Sequence, residues 1–243
     1  MIDRRRYKTA FILGAGLGTR LRPLTELRPK PLLDIGGRPA VTYAMDHLLT
    51  AGIRRFIINA HHHPEAYLQT FPERNWRGIP IILRYEPLLL DTAGGLKNIE
   101  DLLEEDDAIV CYNGDIIADF PLDKLIRSHE LTRPLATLAL RSNGPILNVS
   151  VNGLNEICDI RDVIGNPGVK RYGFTGIYII ESSILRHIEP CVPTSIITTF
   201  INLISDRPGS VMASVIDEGD WLDMGSIEAY ERMKTGISPT ESR

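Results

Sequence analysis

The chain has 243 residues, 43% of them hydrophobic and 24% charged, with a net charge of −4. Those values fit a globular protein of one large or two small domains and argue against a general nucleic-acid or membrane-surface binder; the longest apolar runs, such as Ile177 to Ile180, are far too short to span a bilayer. No apolar signal-peptide core follows the basic start Asp3 to Lys8, and the scattered Cys111, Cys158 and Cys191 make neither a disulfide framework nor a zinc site, so a cytoplasmic compartment is expected.

Short apolar runs alternate with helical patterns. Thr9 to Leu13 reads as a buried strand, Val41 to Thr50 as a helix with Ala44, Leu48 and Leu49 on one face, and Arg55 to Asn59 as a strand. Ala66 to Phe71 follows as a short helix, Ile79 to Leu83 as a strand, Gly95 to Leu103 as a helix and Ala108 to Tyr112 as a strand. Pro121 to His129 reads as a helix with proline near its start, and Ala136 to Leu140 as a strand. This alternation predicts a mainly parallel sheet with helices on both faces.

The second half changes character. Ile146 to Ile160 alternates apolar and polar residues around Asn152-Gly153, a hairpin signal. Gly165 to Gly168 reads as a mobile loop, Gly176 to Ile180 and Ser210 to Ile216 as strands, Ser226 to Lys234 as a helix, and Thr235 to Arg243 as a polar tail. The expectation is one α/β domain over residues 1–243 with a small β-rich lobe at residues 141–172. Its cleft should lie at the carboxyl ends of the parallel strands.

The densest chemistry follows the first strand. Gly14, Gly16 and Gly18 let backbone amides approach an anion, and Arg20 and Lys30 add the charge that a phosphate chain needs. A Walker loop would need Lys-Ser/Thr after its last glycine, and here Thr19-Arg20 stand there. A dinucleotide fingerprint would need a helix, which Pro23, Pro29 and Pro31 break, so Asp34 at the ribose spacing is a decoy.

The string Gly14 to Thr25 with Pro29-Lys30-Pro31-Leu32 resembles the signature of the sugar-1-phosphate nucleotidylyltransferases. The resemblance extends to Tyr112 to Asp115, Phe174 to Tyr178 and Trp221 to Gly225, and so covers almost the whole chain. It implies a Rossmann-like nucleotide-diphospho-sugar transferase fold. It also implies Mg²⁺-dependent joining of a nucleoside triphosphate to a sugar 1-phosphate with release of pyrophosphate. Arg20 and Lys30 would be catalytic, and Leu13, Gly14, Ala15, Gly16, Gly18 and Thr19 would hold the triphosphate.

Other segments carry two readings each. Asp115 ends a strand-like run, where a carboxylate suits a metal or simply caps a turn. Asp223 precedes a helix, where it is a ligand or an N-cap; the resemblance makes the two a Mg²⁺ pair, and the nearby Asp217 and Asp220 do not fit its motif. Asp91, Thr92, Ala93 and Gly94 start a helix or, by resemblance, touch base and ribose, with glycines admitting a flat ring. His61-His62-His63 lacks metal-ligand spacing, because neighbouring residues point to different sides; Asn59 and His61 are instead candidates for the nucleotide. Asn113, Gly173, Thr175 and Gly176 match the sugar-lining segments.

The Glu-Lys-Pro motif of larger relatives is absent, leaving Lys170 or Arg171 as substitutes. That absence points to a small subgroup resembling N-acetylmuramate-1-phosphate uridylyltransferase and mannose-1-phosphate guanylyltransferase-like proteins, hence to UTP or GTP. A monomer or small homo-oligomer is expected. The chain ends soon after the Trp221 motif, so no appended hexapeptide-repeat domain is expected. Two alternatives remain open: a cytidylyltransferase for phosphocholine or another non-sugar phosphate, with Tyr172, Phe174 and Trp221 to contribute to a choline cage, and a non-catalytic nucleotide-sugar-sensing subunit. A metal-dependent glycosyltransferase is weaker, for want of an Asp-x-Asp at Asp115.

Overall fold

The computed structural model describes residues 6–104 and 107–236. The start of the chain to Arg5 and residues 237–243 of the expected polar tail lie outside the described residues.

The first half alternates strand and helix. In chain order come β1 (Thr9–Leu13), β2 (Asp34–Ile35), β3 (Arg38–Pro39), α1 (Val41–Thr50), β4 (Arg55–Ala60), α2 (Pro64–Thr70), β5 (Asn75–Trp76) and β6 (Ile79–Tyr85). Then follow α3 (Asp91–Lys97), β7 (Ala108–Asn113), β8 (Ile116–Ala118), α4 (Leu122–Thr132) and β9 (Ala136–Arg141). The remainder is β10 (Val149–Val151), β11 (Ile157–Ile160), β12 (Lys170–Glu181), α5 (Ile196–Asp206), β13 (Val211–Val215), β14 (Trp221–Asp223) and α6 (Ile227–Gly236).

The main sheet runs β13-β9-β12-β7-β1-β4-β6-β5. β1 pairs parallel with β4 and β7, β4 with β6, and β9 with β13. β12 alone among the central strands runs antiparallel, between β7 and β9, and its first residues Lys170 to Tyr172 also pair with β10. This is the expected α/β fold, mixed but mainly parallel.

Strand alternation sorts the core onto two faces. Ala10 and Ile12 of β1 pack with Phe56 and Ile58 of β4 beneath α1 and α4. Phe11 and Ile57 point the other way, to Ala93 and Leu96 of α3 and to Phe200 and Leu203 of α5. Long apolar strands with helices on both sides therefore bury both faces.

Several elements depart from the sequence reading. The helix expected over Gly95 to Leu103 starts at Asp91 and ends at Lys97, with a separate 3₁₀ turn at Glu100–Leu102. Gly94 and Gly95 sit inside it because the helix packs too closely for side chains. A Cβ on Gly94 would stand 2.7 Å from the Val192 carbonyl, and one on Gly95 2.7 Å from the Asn59 amide. Helix α5 adds to the elements read from the sequence: Ile196, Thr199, Phe200, Leu203 and Ile204 are buried at helical spacing and Ser195 Oγ accepts from the Ile197 amide. Helix α6 continues through Thr235 and Gly236, which were read as tail.

The hairpin around Asn152-Gly153 forms as β10 and β11, with Asn152 Oδ1 accepting from the Leu154 and Glu156 amides. The loop read as mobile is tied to the sheet, because buried Asp159 accepts from the Val163 and Gly165 amides. No helix among the described residues is long and apolar enough to cross a membrane.

Phe200 is fully buried with its ring edge-on to Tyr178, centroids 5.6 Å apart. Phe200→Ala should lower unfolding free energy by about 3–5 kcal/mol, read as a fall in the urea midpoint at unchanged slope.

Candidate active site

Strands β1, β4 and β7 end side by side, and Leu13, Asn59 and Asn113 at their carboxyl ends open onto one cleft of about 560 Å³, within the usual range of about 300–1,000 Å³ for small-molecule sites. Gly14, Ala15, Gly16, Gly18, Thr19, Arg20, Lys30, Asp91, Thr92 and Asp115 also line it. Ala93, Gly94 and His61 do not. The first two are buried in α3, and His61 Nδ1 is bonded to the Glu86 carbonyl at 2.8 Å. The expectation that Gly94 admits a flat ring therefore gives way to close helix packing.

The floor of the cleft is a chain of buried hydrogen bonds. The Gly14 amide donates to Asn59 Oδ1 at 2.7 Å, and Asn59 Nδ2 donates to Glu86 Oε1 at 2.7 Å. The other Glu86 oxygen accepts from the Leu90 amide, and Tyr67 Oη donates to the Gly14 carbonyl. Burial raises the Glu86 carboxyl above the ordinary glutamate value, opposed by the donors from Asn59 and Leu90. The Gly14 amide is thus spoken for and cannot face a phosphate. The amides of Ala15, Gly16, Leu17 and Gly18 have no acceptor among the described residues. Glu86 and Tyr67 escaped the sequence reading because no local motif marks them.

The long loop after β1 is fastened from outside. Thr25 Oγ1 donates to the Gly18 carbonyl at 2.8 Å. His62 Nε2 meets the Thr25 carbonyl and His63 Nε2 the Glu26 carbonyl, each at 2.9 Å. The three histidines thus diverge onto three carbonyls, and no cluster of three or more metal-ligating side chains occurs among the described residues.

Asp115 and Asp223 come together through a two-stranded ribbon invisible to local sequence. β14 pairs antiparallel with β8, Asp223 opposite Ile116, and the Met224 amide donates to the Asp115 carbonyl at 3.1 Å. Lys30, 8% exposed, pairs its ammonium with the Asp115 carboxylate. A Cβ on Gly225 would lie 3.2 Å from Asp223 Oδ1 and 3.5 Å from Arg20 Nη1, so Arg20 and this aspartate share a corner. Desolvation in the cleft wall first, then the like charge of Asp115, push the Asp223 carboxyl up; Lys30 and Arg20 oppose them. Asp217 instead accepts from the Ser142 amide, and Asp220 lies on a different surface hollow.

A second hollow adjoins the first. Asn113, Gly173, Thr175, Gly176 and Asp223 line it, with Arg161, Asn143, Asn148, Phe174 and Trp221. Gly176, with φ 78°, is where β12 bends, and a Cβ there would meet Asn113 Nδ2 at 2.6 Å. Trp221 Nε1 donates to the Thr175 carbonyl at 2.8 Å, locking β14 to that bend. Neither expected lysine substitute lines the hollow. Arg171 pairs with Asp162, and Lys170 lies over the Tyr172 ring, 5.0 Å from its centroid. That contact also occupies one wall of the supposed choline cage. Arg141 is spent on the carbonyls of Asp217, Glu218 and Gly219. Arg161 is the lining cation without such an engagement among the described residues; it carried no motif, so the sequence reading passed over it.

The raised Asp223 carboxyl has a consequence for stability. Its folded value lies above the unfolded one, so ionisation favours unfolding, and stability falls as pH rises from the unfolded value of about 4 through the folded one. Asp223→Asn should therefore raise the thermal midpoint at pH 7 in metal-free buffer, and the gain should vanish by about pH 3.5. An unchanged or lower midpoint at pH 7 would count against this electrostatic description.

The sequence profile of the Nucleotidyl transferase family matches residues 9–238. A mannose-1-phosphate guanyltransferase of Aspergillus fumigatus is 34% identical over 226 residues, 89% of this chain and 60% of that protein. The chain thus spans about 60% of the length of such curated relatives. Among solved structures, HddC from Yersinia pseudotuberculosis complexed with GMP-PN superposes with a TM-score of 0.76 at 20% identity, covering 94% of this chain and 99% of that one. A UDP-glucose pyrophosphorylase from Acinetobacter baumanii gives 0.76 at 18% identity, covering 95% and 93%. These likenesses establish the fold.

Proposed function

This chain belongs to the nucleotidyl transferase family, and from that premise we propose that it transfers a nucleotidyl group from GTP to a hexose 1-phosphate of the mannose 1-phosphate class, releasing pyrophosphate. One observation carries the reading. The two hollows meet at Asn113, which lines both, with Asp115 on one side and Asp223 on the other. A triphosphate in the first and a sugar phosphate in the second would bring the reacting groups to that junction. The relatives named mannose-1-phosphate guanyltransferase and the GMP-PN bound by HddC favour guanine over uracil.

An oxygen of the sugar phosphate attacks the α-phosphorus in line, a P–O bond forms, and the bond to the β-phosphate oxygen breaks to release pyrophosphate. The nucleophile is already an anion at neutral pH, so no general base is required. The barrier lies in gathering two polyanions and in the charge that grows at phosphorus. Arg20 and Lys30 oppose that repulsion from the loop, and the open amides of Ala15 to Gly18 receive phosphate oxygens. Held by Asp115, Lys30 stands ordered before substrate arrives. The lobe at residues 141–172 would form the outer wall of the sugar hollow, where Arg161 is the cation that meets the sugar phosphate.

Asp115 and Asp223 suit Mg²⁺. Both are hard oxygen donors, and the like-charge effect of one on the other marks a place that a cation would relieve. Bound there, Mg²⁺ would neutralise phosphate charge and orient the triphosphate.

A matrix of nucleoside triphosphates against sugar 1-phosphates, read by pyrophosphate release with Mg²⁺, tests the function; GTP with mannose 1-phosphate should lead. Lys30→Ala and Arg20→Ala should each lower kcat by about 30- to 1,000-fold without unfolding the chain. Near-parental turnover in both would overturn the phosphate-loop assignment. Arg161→Ala should raise KM for the sugar phosphate by about tenfold or more while KM for GTP holds; equal changes in both would remove Arg161 from the sugar hollow.

A further inference from the structure

We propose that Asp91 selects the nucleobase, its carboxylate accepting both N1–H and N2–H of guanine; this rests on the nucleotidyl transfer proposed above and specifies how that site chooses its triphosphate. The phosphate end of the cleft is marked by the glycine loop, Arg20 and Lys30. The rest of the lining includes Leu89 and Pro193, which offer apolar faces to a flat ring, together with Asp91, Thr92 and Asn59. The side-chain oxygens of Asn59 and Thr92 each already accept a hydrogen bond, whereas Asp91 keeps one that accepts none among the described residues. Asn59 spends Oδ1 on Gly14 and Nδ2 on Glu86, and Thr92 Oγ1 accepts from the Ile196 amide at 2.7 Å. Of the two acids that line the cleft among the described residues, Asp115 is paired with Lys30. Asp91 is exposed and uses one lone pair of Oδ1 to accept from the Thr92 amide at 2.6 Å, which among the described residues leaves Oδ2 and the second lone pair of Oδ1 to receive two donors.

Asp91 carries its side chain at φ 59°, a left-handed conformation that aspartate tolerates. That side chain starts α3, whose position is set by the Ala93 amide bond to the Thr194 carbonyl and by the close packing of Gly94 and Gly95. The carboxylate is thus carried on a rigid support.

The chemistry of the bases supplies the selection. An ionised carboxylate accepts and cannot donate. Guanine presents two adjacent donors on its pairing edge, N1–H and N2–H. Uracil flanks its single N–H with two carbonyls, and adenine and cytosine each place a ring-nitrogen acceptor beside the amino group. All three would set a lone pair against Asp91. A base seated over this carboxylate takes its water away, so one that offers a lone pair in place of a donor leaves it without a partner and is rejected.

The experiment is a base ranking of the full chain with GTP, ITP, XTP, UTP and ATP, measured twice: by kcat/KM for pyrophosphate release with mannose 1-phosphate, and by calorimetric binding without the sugar phosphate. ITP lacks the 2-amino group and should fall roughly tenfold or more below GTP in both measurements. Asp91→Asn, which keeps the shape and tolerates the left-handed backbone, should lower GTP by about a hundredfold and raise XTP above it, since an amide donates to the xanthine 2-carbonyl while still accepting from N1–H. ITP equal to GTP, or an unchanged base ranking in Asp91→Asn, would overturn the assignment. Absence of pyrophosphate release with every pair would overturn the transfer reading alone, because the binding ranking still tests Asp91.

Discussion

The cleft rests on one buried polar chain. Gly14, Asn59, Glu86 and Leu90 are linked by hydrogen bonds that join the ends of β1, β4 and β6 to the start of α3. Asn59 is 3% exposed and Glu86 fully buried. In such surroundings a missing partner leaves the next group unsatisfied at about 1–3 kcal/mol, so the members stand or fall together. This explains why the glycine loop begins where it does. Gly14 is clamped by its amide to Asn59 and by its carbonyl to Tyr67, and a Cβ there would stand 2.5 Å from that tyrosine's oxygen. The amides of Ala15 to Gly18 beyond it have no acceptor among the described residues.

From that floor, charge organises the walls. Arg20 and Lys30 come from 3₁₀ turns of a proline-rich loop, and Asp115 and Asp223 from the β8/β14 ribbon. Two cations face two carboxylates, and the Asp223 carboxyl is nonetheless pushed up. The arrangement is thus balanced rather than relaxed. Outside, His63 keeps the loop in place between two acceptors, the Glu65 carboxylate and the Glu26 carbonyl. Satisfying both requires both ring N–H groups, and the bonds to Glu65 and then Glu26 raise the imidazole accordingly.

Much of this was legible in the chain. The glycine loop with Arg20 and Lys30, the parallel strands and the rejection of a histidine metal site all follow from contiguous residues and their periods. Helix α5 carried a legible pattern of buried residues at helical spacing. Gly94 and Gly95 were misread, because a glycine between turn-forming residues looks like an opening for a ligand when its reason is the backbone of Val192 and the side chain of Asn59. Lys170 and Arg171 were misassigned for a related reason. A basic residue near the right strand gives no hint that Tyr172 or Asp162 already engages it.

The sequence by itself determined what depends on neighbours along the chain: strand and helix periods, the turn chemistry of the glycine loop, the prolines that forbid a dinucleotide helix, and the kinds of group available for phosphate. The tertiary structure alone decided which groups remain open and which meet. Asn113 stands at the junction of two hollows, Asp223 lies across a ribbon from Asp115, Arg161 reaches a hollow that Arg171 does not, and Asp91 keeps an oxygen open while Asn59 keeps none. The reason is physical. Backbone preference and hydrophobic period act over a few residues, whereas the state of a polar side chain is set by whatever long-range packing brings within hydrogen-bond reach, and only the folded chain specifies that.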